Sequence, residues 1–122
     1  MSTLKADTIV AADGTSPVTL TKQSAAKVWC RWDFTETNVV KGSFGVSSLS
    51  DDSTGSNTIN YSSSMSDANY SAVTSVVRNA RVAGPASNSG VTSSNIAILS
   101  YNSSGSLYDS TFASTQVNGD LA

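Results

Sequence analysis

Short runs of alternating apolar and polar residues, separated by clusters of Gly, Asn and Ser, dominate this sequence. In the clearest run, Val28, Cys30, Trp32 and Phe34 fall on one side of an extended chain and Trp29 falls on the other. Because successive side chains of a strand point to opposite faces, this run predicts a strand with the first four residues in the core. Similar runs return about every 8 to 12 residues, which is typical of an all-β fold, an antiparallel β-sandwich of about seven or eight short strands.

The composition agrees with this fold class. Charged residues make up only 13% of the chain, Glu36 is its single glutamate, and Ser, Thr, Asn and Gly together account for 55 of the 122 residues. Exposed helix positions are usually filled with Glu, Lys and Arg, so a long helical protein is excluded.

Turn residues set several strand limits. We expect residues 42–46 to form one strand, with Phe44 facing inward, and residues 51–57 to form the loop of a hairpin. Residues 84–90 begin with Gly-Pro and are expected to interrupt the strands. Further strands are expected over residues 58–62, 70–77, 95–102 and 111–117.

Two residue types that carry much protein chemistry are scarce. The chain has no His and a single Cys, Cys30. It therefore lacks a histidine base for a catalytic triad, the usual zinc ligands and an internal disulfide. We expect Cys30 to be a small core residue of a chain that folds in a reducing cytosol.

Several classes of partner are also excluded. The net charge is −2 and the seven basic residues are spread along the chain, so no nucleic-acid partner is expected. No apolar run approaches the roughly 18 residues that cross a membrane, and the N-terminus lacks a secretory signal pattern. Residues 51–57 are rich in carboxylate and amide oxygens, but their spacing departs from an EF-hand loop, so a hairpin turn is the preferred interpretation. We expect no metal, no cofactor and no enzymatic activity.

Trp29 is the residue of this sequence that most favours a binding role. It shares the charged side of its strand with Arg31 and Asp33. A tryptophan there favours contact with a neighbouring chain or stacking against a sugar, while burial under a loop or a second sheet is the alternative. The apolar core is thin for a domain of this size, which favours an oligomer before any family is considered.

Several segments together are similar to a known group of proteins. They are LKADTI at residues 4–9, LTKQSAAKVW at 20–29, GSFGVSSLSD at 42–51, TINYS at 58–62 and MSDANY at 65–70, together with Ser103, Gly105, Asp109, Gly119 and Asp120 near the end. The chain resembles the tail-fibre-like virion structural proteins of marine bacteriophages, of the kind that infect cyanobacteria and pelagic bacteria. The resemblance covers almost the whole chain. It implies a trimeric tail-fibre or appendage subunit that folds in the host cytoplasm, assembles with other virion proteins and contributes to host attachment.

The resemblance also implies a division of the chain into two parts. Residues 1–24 would be an extended N-terminal segment that docks on the virion, and residues 25–122 would be the β-sandwich domain. The apolar residues of the docking segment are Leu4, Ile9, Val10, Val18 and Leu20.

Other functions stay open at this point. A carbohydrate-binding module for host surface glycans, with Trp29, Tyr61 and Tyr70 as stacking platforms, is the alternative from another class. A head or tail decoration protein is a further alternative. A polysaccharide-cleaving enzyme ranks behind these, because such enzymes need clustered carboxylates in a cleft and this sequence places its carboxylate pairs in turns.

Overall fold

The computed structural model describes residues 12–15, 26–37, 39–77, 80–87 and 90–120. Within these residues the regular structure is β-strand, and no α-helix occurs. The eight strands, in chain order, are β1 (Val28–Trp32), β2 (Val40–Phe44), β3 (Val46–Ser53), β4 (Ser56–Tyr61), β5 (Ser71–Val76), β6 (Ala80–Pro85), β7 (Asn95–Asn102) and β8 (Ala113–Asn118).

The strands form two four-stranded sheets. The first sheet has the order β2-β1-β8-β5 and the second has the order β3-β4-β7-β6. Every pair of neighbouring strands is antiparallel. The antiparallel β-sandwich predicted from the alternation of the sequence is therefore confirmed.

Strand β1 lies inside the first sheet, between β2 and β8, and its facing matches the prediction. Val28, Cys30 and Trp32 are buried, and so is Phe34 just beyond the strand. The ring centroids of Trp32 and Phe34 are 5.4 Å apart, with the rings tilted by 54°. This buried side of β1 supplies one wall of the core.

The opposite wall comes from the second sheet, whose inward positions also recur at every second residue. Ile59 of β4 is paired with Ile96 of β7, and Tyr61 of β4 and Ile98 of β7 are buried on the same side of the sheet. The remaining buried apolar residues are Leu49, Met65, Ala113 and Val117. The core is thus formed by the inward-facing residues of the two sheets, and it contains no charged side chain among the described residues.

The connection between β2 and β3 differs from the expectation of one strand over residues 42–46. Gly45 interrupts that segment, with φ at +70°, and the chain passes there from the first sheet to the second. A Cβ at Gly45 would lie 2.6 Å from the carbonyl oxygen of Lys27, so a side chain is excluded by space as well as by φ. As a result Phe44 turns outward and is 60% exposed, and the prediction that it faces the core is wrong.

Strand β6 has no counterpart among the predicted strands. The interruption predicted to begin at Gly84 and Pro85 coincides with the end of this strand, where the two residues lie opposite Leu99 and Ile98 of β7. Proline removes a backbone donor, but β6 is an edge strand with a neighbour on one side only, where that loss is tolerated.

The hairpin between β3 and β4 is confirmed, but its turn is shorter than the predicted 51–57 loop. The strands continue to Ser53 and resume at Ser56, so Thr54 and Gly55 alone form the turn. The N–H group of Gly55 donates a hydrogen bond to the carboxylate of Asp109 across 2.6 Å. This contact fastens the tip of the hairpin to the loop between β7 and β8.

Candidate functional site

The candidate site is the outward side of the first sheet, which we call the aromatic face. It is defined by Trp29 and Arg31 of β1, Phe44 of β2, Phe112 before β8 and Val73 of β5. These residues occupy positions that alternate with the buried ones, so the strand pattern that fills the core also directs them to solvent. The Trp29 side chain is 42% exposed.

One row of side chains crosses the whole aromatic face. Trp29 is paired with Phe44 on one side and with Gln116 on the other, and Gln116 is paired with Val73 of the edge strand. Directly paired residues of antiparallel strands have their Cβ atoms about 4.5–5.5 Å apart, so these four side chains are neighbours. Val73 is 70% exposed at the end of the row.

The position of the Trp29 ring depends on a glycine in β2. Gly42 is paired with Arg31, one row further along the sheet. A Cβ placed on Gly42 would lie 3.4 Å from both Cζ3 and Cη2 of Trp29. The six-membered ring of the indole therefore leans over Gly42 and lies beside Arg31, in the space that a larger residue at position 42 would fill.

Arg31 lies between this indole and a second aromatic ring. Its guanidinium carbon is 4.9 Å from the ring centroid of Phe112, which is the geometry of a cation–π contact. In the part of the chain that the structure describes, the salt bridge is the one between Lys41 and Glu36, at 2.7 Å, and Arg31 takes no part in it.

The carboxylate that follows Arg31 on the same strand side is engaged elsewhere. Asp33 accepts hydrogen bonds from the backbone N–H and the hydroxyl of Thr35, across 2.8 Å and 2.6 Å. The aromatic face therefore presents a cation whose charge is not neutralised by an ion pair among the described residues.

The structure separates the three residues predicted as stacking platforms. Trp29 is exposed as expected, but Tyr61 is only 7% exposed and packs edge-on against Tyr70, with ring centroids 5.9 Å apart. The Tyr61 hydroxyl donates to the Tyr70 hydroxyl at 3.0 Å, and the Tyr70 hydroxyl lies 2.9 Å from the carbonyl oxygen of Thr92 and 3.0 Å from that of Asn95. Tyr61 is buried and offers no flat ring to a sugar, whereas Trp29 is exposed and Tyr70 is only partly buried, so these two keep the predicted role.

Burial also sets the acid–base behaviour of this pair and of the lone cysteine. Loss of hydration raises the pKa of Tyr61, and the hydrogen bond to Tyr70 adds to the effect. Loss of hydration likewise raises the pKa of Tyr70, although its own hydrogen bonds oppose the rise. Burial raises the pKa of the Cys30 thiol to about 11, which keeps it protonated and unreactive at neutral pH.

The residues predicted for virion docking lie outside the described residues. These residues are Leu4, Ile9, Val10, Val18 and Leu20. Of the segment 1–24, the structure describes only residues 12–15, so the predicted division at residue 24 stays a prediction.

Sequence reasoning found Trp29 and missed its neighbours on the aromatic face. Phe44 was assigned to the core because Gly45 was read as part of a strand. Phe112 was placed in the last strand without a face. The signal that was available is the spacing of Phe112, Ser114 and Gln116, which puts Phe112 on the side opposite the buried Ala113, Thr115 and Val117.

Among the described residues, no three His, Cys, Asp or Glu side chains come close enough to hold a metal ion. None of the described residues belongs to a helix with the length and hydropathy of a membrane span. Comparison with protein-family models, with curated proteins and with solved structures finds no match to this chain.

Proposed function

We propose that this chain is a structural subunit of a bacteriophage virion, a trimeric tail-fibre or appendage protein that contributes to assembly and host attachment. The observation that carries the proposal is the exposure of large apolar side chains on both outer sides of the sandwich. Such side chains, when grouped, commonly mark surfaces that other molecules cover. The sequence resemblance to tail-fibre-like proteins favours a bacteriophage virion as the particle to which this subunit belongs.

The two outer sides differ in character, which favours different partners for them. On the first sheet the exposed residues are aromatic and surround Arg31. On the second sheet Val82 is 64% exposed and is paired with Tyr101, which in turn forms a bridge with Leu107. We assign this second group to contacts between subunits, because it is apolar and uncharged.

The trimer is tested by light scattering of the purified chain. A trimer has three times the 12.6 kDa mass of one chain. Val82→Ser should shift the distribution toward smaller species, since it places a hydroxyl in a contact that is otherwise apolar. A wild-type protein that stays monomeric at micromolar concentration contradicts the trimer.

The docking role of residues 1–24 is tested by deletion. Removing residues 2–24 should leave a folded β-sandwich whose strands β1 to β8 are intact, while the protein no longer enters phage particles. Circular dichroism checks the fold, and mass spectrometry of purified virions checks incorporation. A truncated chain that is unfolded assigns the segment to the core, and one that still enters particles assigns docking to another part of the chain.

A second function, recognition of host surface glycans, is favoured by one observation. Trp29 presents an exposed indole on an open sheet face, and such rings stack against the apolar faces of sugars. A carbohydrate-binding module of this kind needs no chemistry beyond that face. The two functions are compatible, because attachment to a host can proceed through a surface glycan.

A further inference from the structure

We propose that the aromatic face binds an acidic polysaccharide, with a uronic acid ring stacked on Trp29 and its carboxylate held by Arg31. The inference rests on the attachment role proposed above and names the ligand of that role. It follows from three properties of the face: the placement of the two side chains, the charge of Arg31 and the size of the surface.

The placement of Trp29 and Arg31 suits a single sugar ring with a carboxyl substituent. Their Cα atoms are two positions apart on one side of β1, which corresponds to about 7 Å. The Trp29 ring leans over Gly42, and Gly42 is the residue directly opposite Arg31. A ring that stacks on the indole therefore has its edge next to Arg31.

The cation–π contact holds the Arg31 guanidinium in a position from which it can bind a carboxylate. The guanidinium carbon lies 4.9 Å from the centroid of the Phe112 ring, so the contact uses a face of the group. The N–H donors of a guanidinium point outward in its plane and match the two oxygens of a carboxylate. Phe112 thus limits the freedom of the Arg31 side chain while leaving its donors accessible.

The free valence of Arg31, and not the net charge of the face, favours an anionic ligand. Asp33, the next residue on the same side of β1, keeps its negative charge but is bonded to Thr35 and forms no ion pair with Arg31 in the described part of the chain, and Glu36 is paired with Lys41. The residues around Arg31 in the two rows of the face are neutral: Phe44, Trp29, Gln116 and Val73 in one row, and Gly42, Ser114 and Ser75 in the other. A lone cation is too little for nucleic acid, whose binding requires several phosphate contacts.

The size of the face argues for a short stretch of glycan and against a second copy of this chain. Neighbouring strands are about 4.8 Å apart, so the row from Phe44 to Val73 spans about 14 Å. Phe112 and Gln116 are four positions apart along β8, or about 13 Å. The resulting area of about 200 Å² is well below the roughly 800 Å² per partner of a standard protein interface.

The test is calorimetric titration of the full chain with a linear galacturonic acid oligosaccharide. We expect saturable binding that weakens as salt is raised, because the Arg31 contact is exposed. The matching neutral galactose oligosaccharide should bind at least about tenfold more weakly, since it lacks the charge-assisted hydrogen bonds. Wild-type protein that does not bind the acidic ligand at millimolar concentration, or that binds both ligands equally, overturns the proposal.

Variants distinguish the site from general charge attraction. Trp29→Ala and Arg31→Gln should each weaken binding by about tenfold or more, and Arg31→Lys should restore only part of the loss, because lysine lacks the planar fork. Lys41→Gln removes the same charge from a side chain that is already paired with Glu36, and it should change affinity by less than about twofold. An equal loss in Lys41→Gln and Arg31→Gln overturns the site.

Two further results separate this proposal from its rivals. If a sulfated oligosaccharide binds and the galacturonic acid ligand does not, the carboxylate is not what Arg31 recognises and the proposal is overturned. If Trp29→Ala converts an oligomer into monomers, the face is a subunit contact, and the proposal is again overturned. Incorporation of the protein into virions without glycan binding leaves the structural function in place and removes only the glycan site.

Discussion

The hydroxyl of Tyr61 donates a hydrogen bond to the hydroxyl of Tyr70, with the two oxygens 3.0 Å apart. Tyr70 in turn reaches the carbonyl oxygens of Thr92 and Asn95. The pair joins the end of β4 and the start of β5 to the turn before β7. Tyr70 is the centre of this network, because it both accepts and donates, whereas Tyr61 only donates.

This asymmetry predicts unequal effects of removing the two hydroxyls. Tyr70→Phe leaves the Tyr61 hydroxyl without its acceptor and removes the hydroxyl donor from the Thr92 carbonyl oxygen, while the Asn95 carbonyl oxygen still accepts from the Thr92 N–H group, so it should cost about 1–3 kcal/mol of unfolding free energy. Tyr61→Phe should cost only about 0.5–1.5 kcal/mol, since Tyr70 keeps its backbone acceptors. Urea unfolding of both variants and of the double variant measures the difference. A larger loss from Tyr61→Phe contradicts the assigned donor and acceptor roles.

The two tryptophans of β1 should respond differently to truncation. Trp32 is 1% exposed and contacts Phe34, so Trp32→Ala should destabilise the fold by about 3–5 kcal/mol. Trp29 lies on the outer side, and Trp29→Ala should cost less than about 1 kcal/mol while weakening the proposed glycan binding. Chemical denaturation gives both values. Similar losses of stability from the two changes would show that Trp29 also belongs to the folded core.

Replacing Gly55 by alanine should lower the stability of the fold. Its φ is +65°, and a Cβ there would lie 2.6 Å from the Tyr108 nitrogen and 2.7 Å from the Ser100 carbonyl oxygen. Gly55→Ala should therefore cost about 3 kcal/mol or more, from backbone strain together with displaced neighbours. Gly105 is a matched control, with φ at +77° and open space around it, and Gly105→Ala should cost only about 1–2 kcal/mol. Thermal unfolding of both variants measures the two losses of stability. A larger loss in Gly105→Ala than in Gly55→Ala would contradict the prediction and would mean that the Gly55 turn can move away from the loop.

Stability should fall at alkaline pH because of Cys30. Burial raises the pKa of its thiol from 9.0 to about 11, so the folded state holds this proton more firmly than the unfolded state does. The corresponding stabilisation is complete below pH 9.0 and is lost as the pH rises through about 11. Cys30→Ala should lose less stability than the wild type over this interval, although it is less stable at neutral pH. Urea unfolding at a series of pH values tests this, and parallel pH profiles for the two proteins would exclude Cys30 as a cause.

Most of the fold could be predicted from the sequence, because side-chain alternation reports directly on which side of a strand is buried. This was enough for β1, β4 and β7, whose inward residues are consistently apolar. It failed at Phe44, where the apolar pattern continues through Gly45 but the backbone changes sheet. It also missed β6, which ends at Pro85. The error at Phe44 depends on sheet order, which local alternation does not contain.

The candidate site was less accessible to sequence reasoning than the fold. Trp29 could be assigned to the outer side of its strand from its two neighbours alone. The contact between Arg31 and Phe112 could not, because these residues are brought together by the pairing of β1 with β8. Tyr61 and Tyr70 show the opposite problem. Their rings look available in a polar sequence, yet the hydroxyl network that holds them inside the fold joins residues distant in the chain.

The pairing of β1 with β8 has a consequence for synthesis. Val28 is paired with Val117, so β1, which among the described strands leaves the ribosome first, must remain unpaired on that side until β8, the last of them, has been synthesised. Until then the buried side of β1, with Trp32 and Phe34, has only β2 beside it. The second sheet can begin earlier, since β3 and β4 are joined by a two-residue turn. Because a contact between distant segments forms slowly, closure of the first sheet should limit the folding rate, and the nascent chain should depend on chaperones until that sheet has closed.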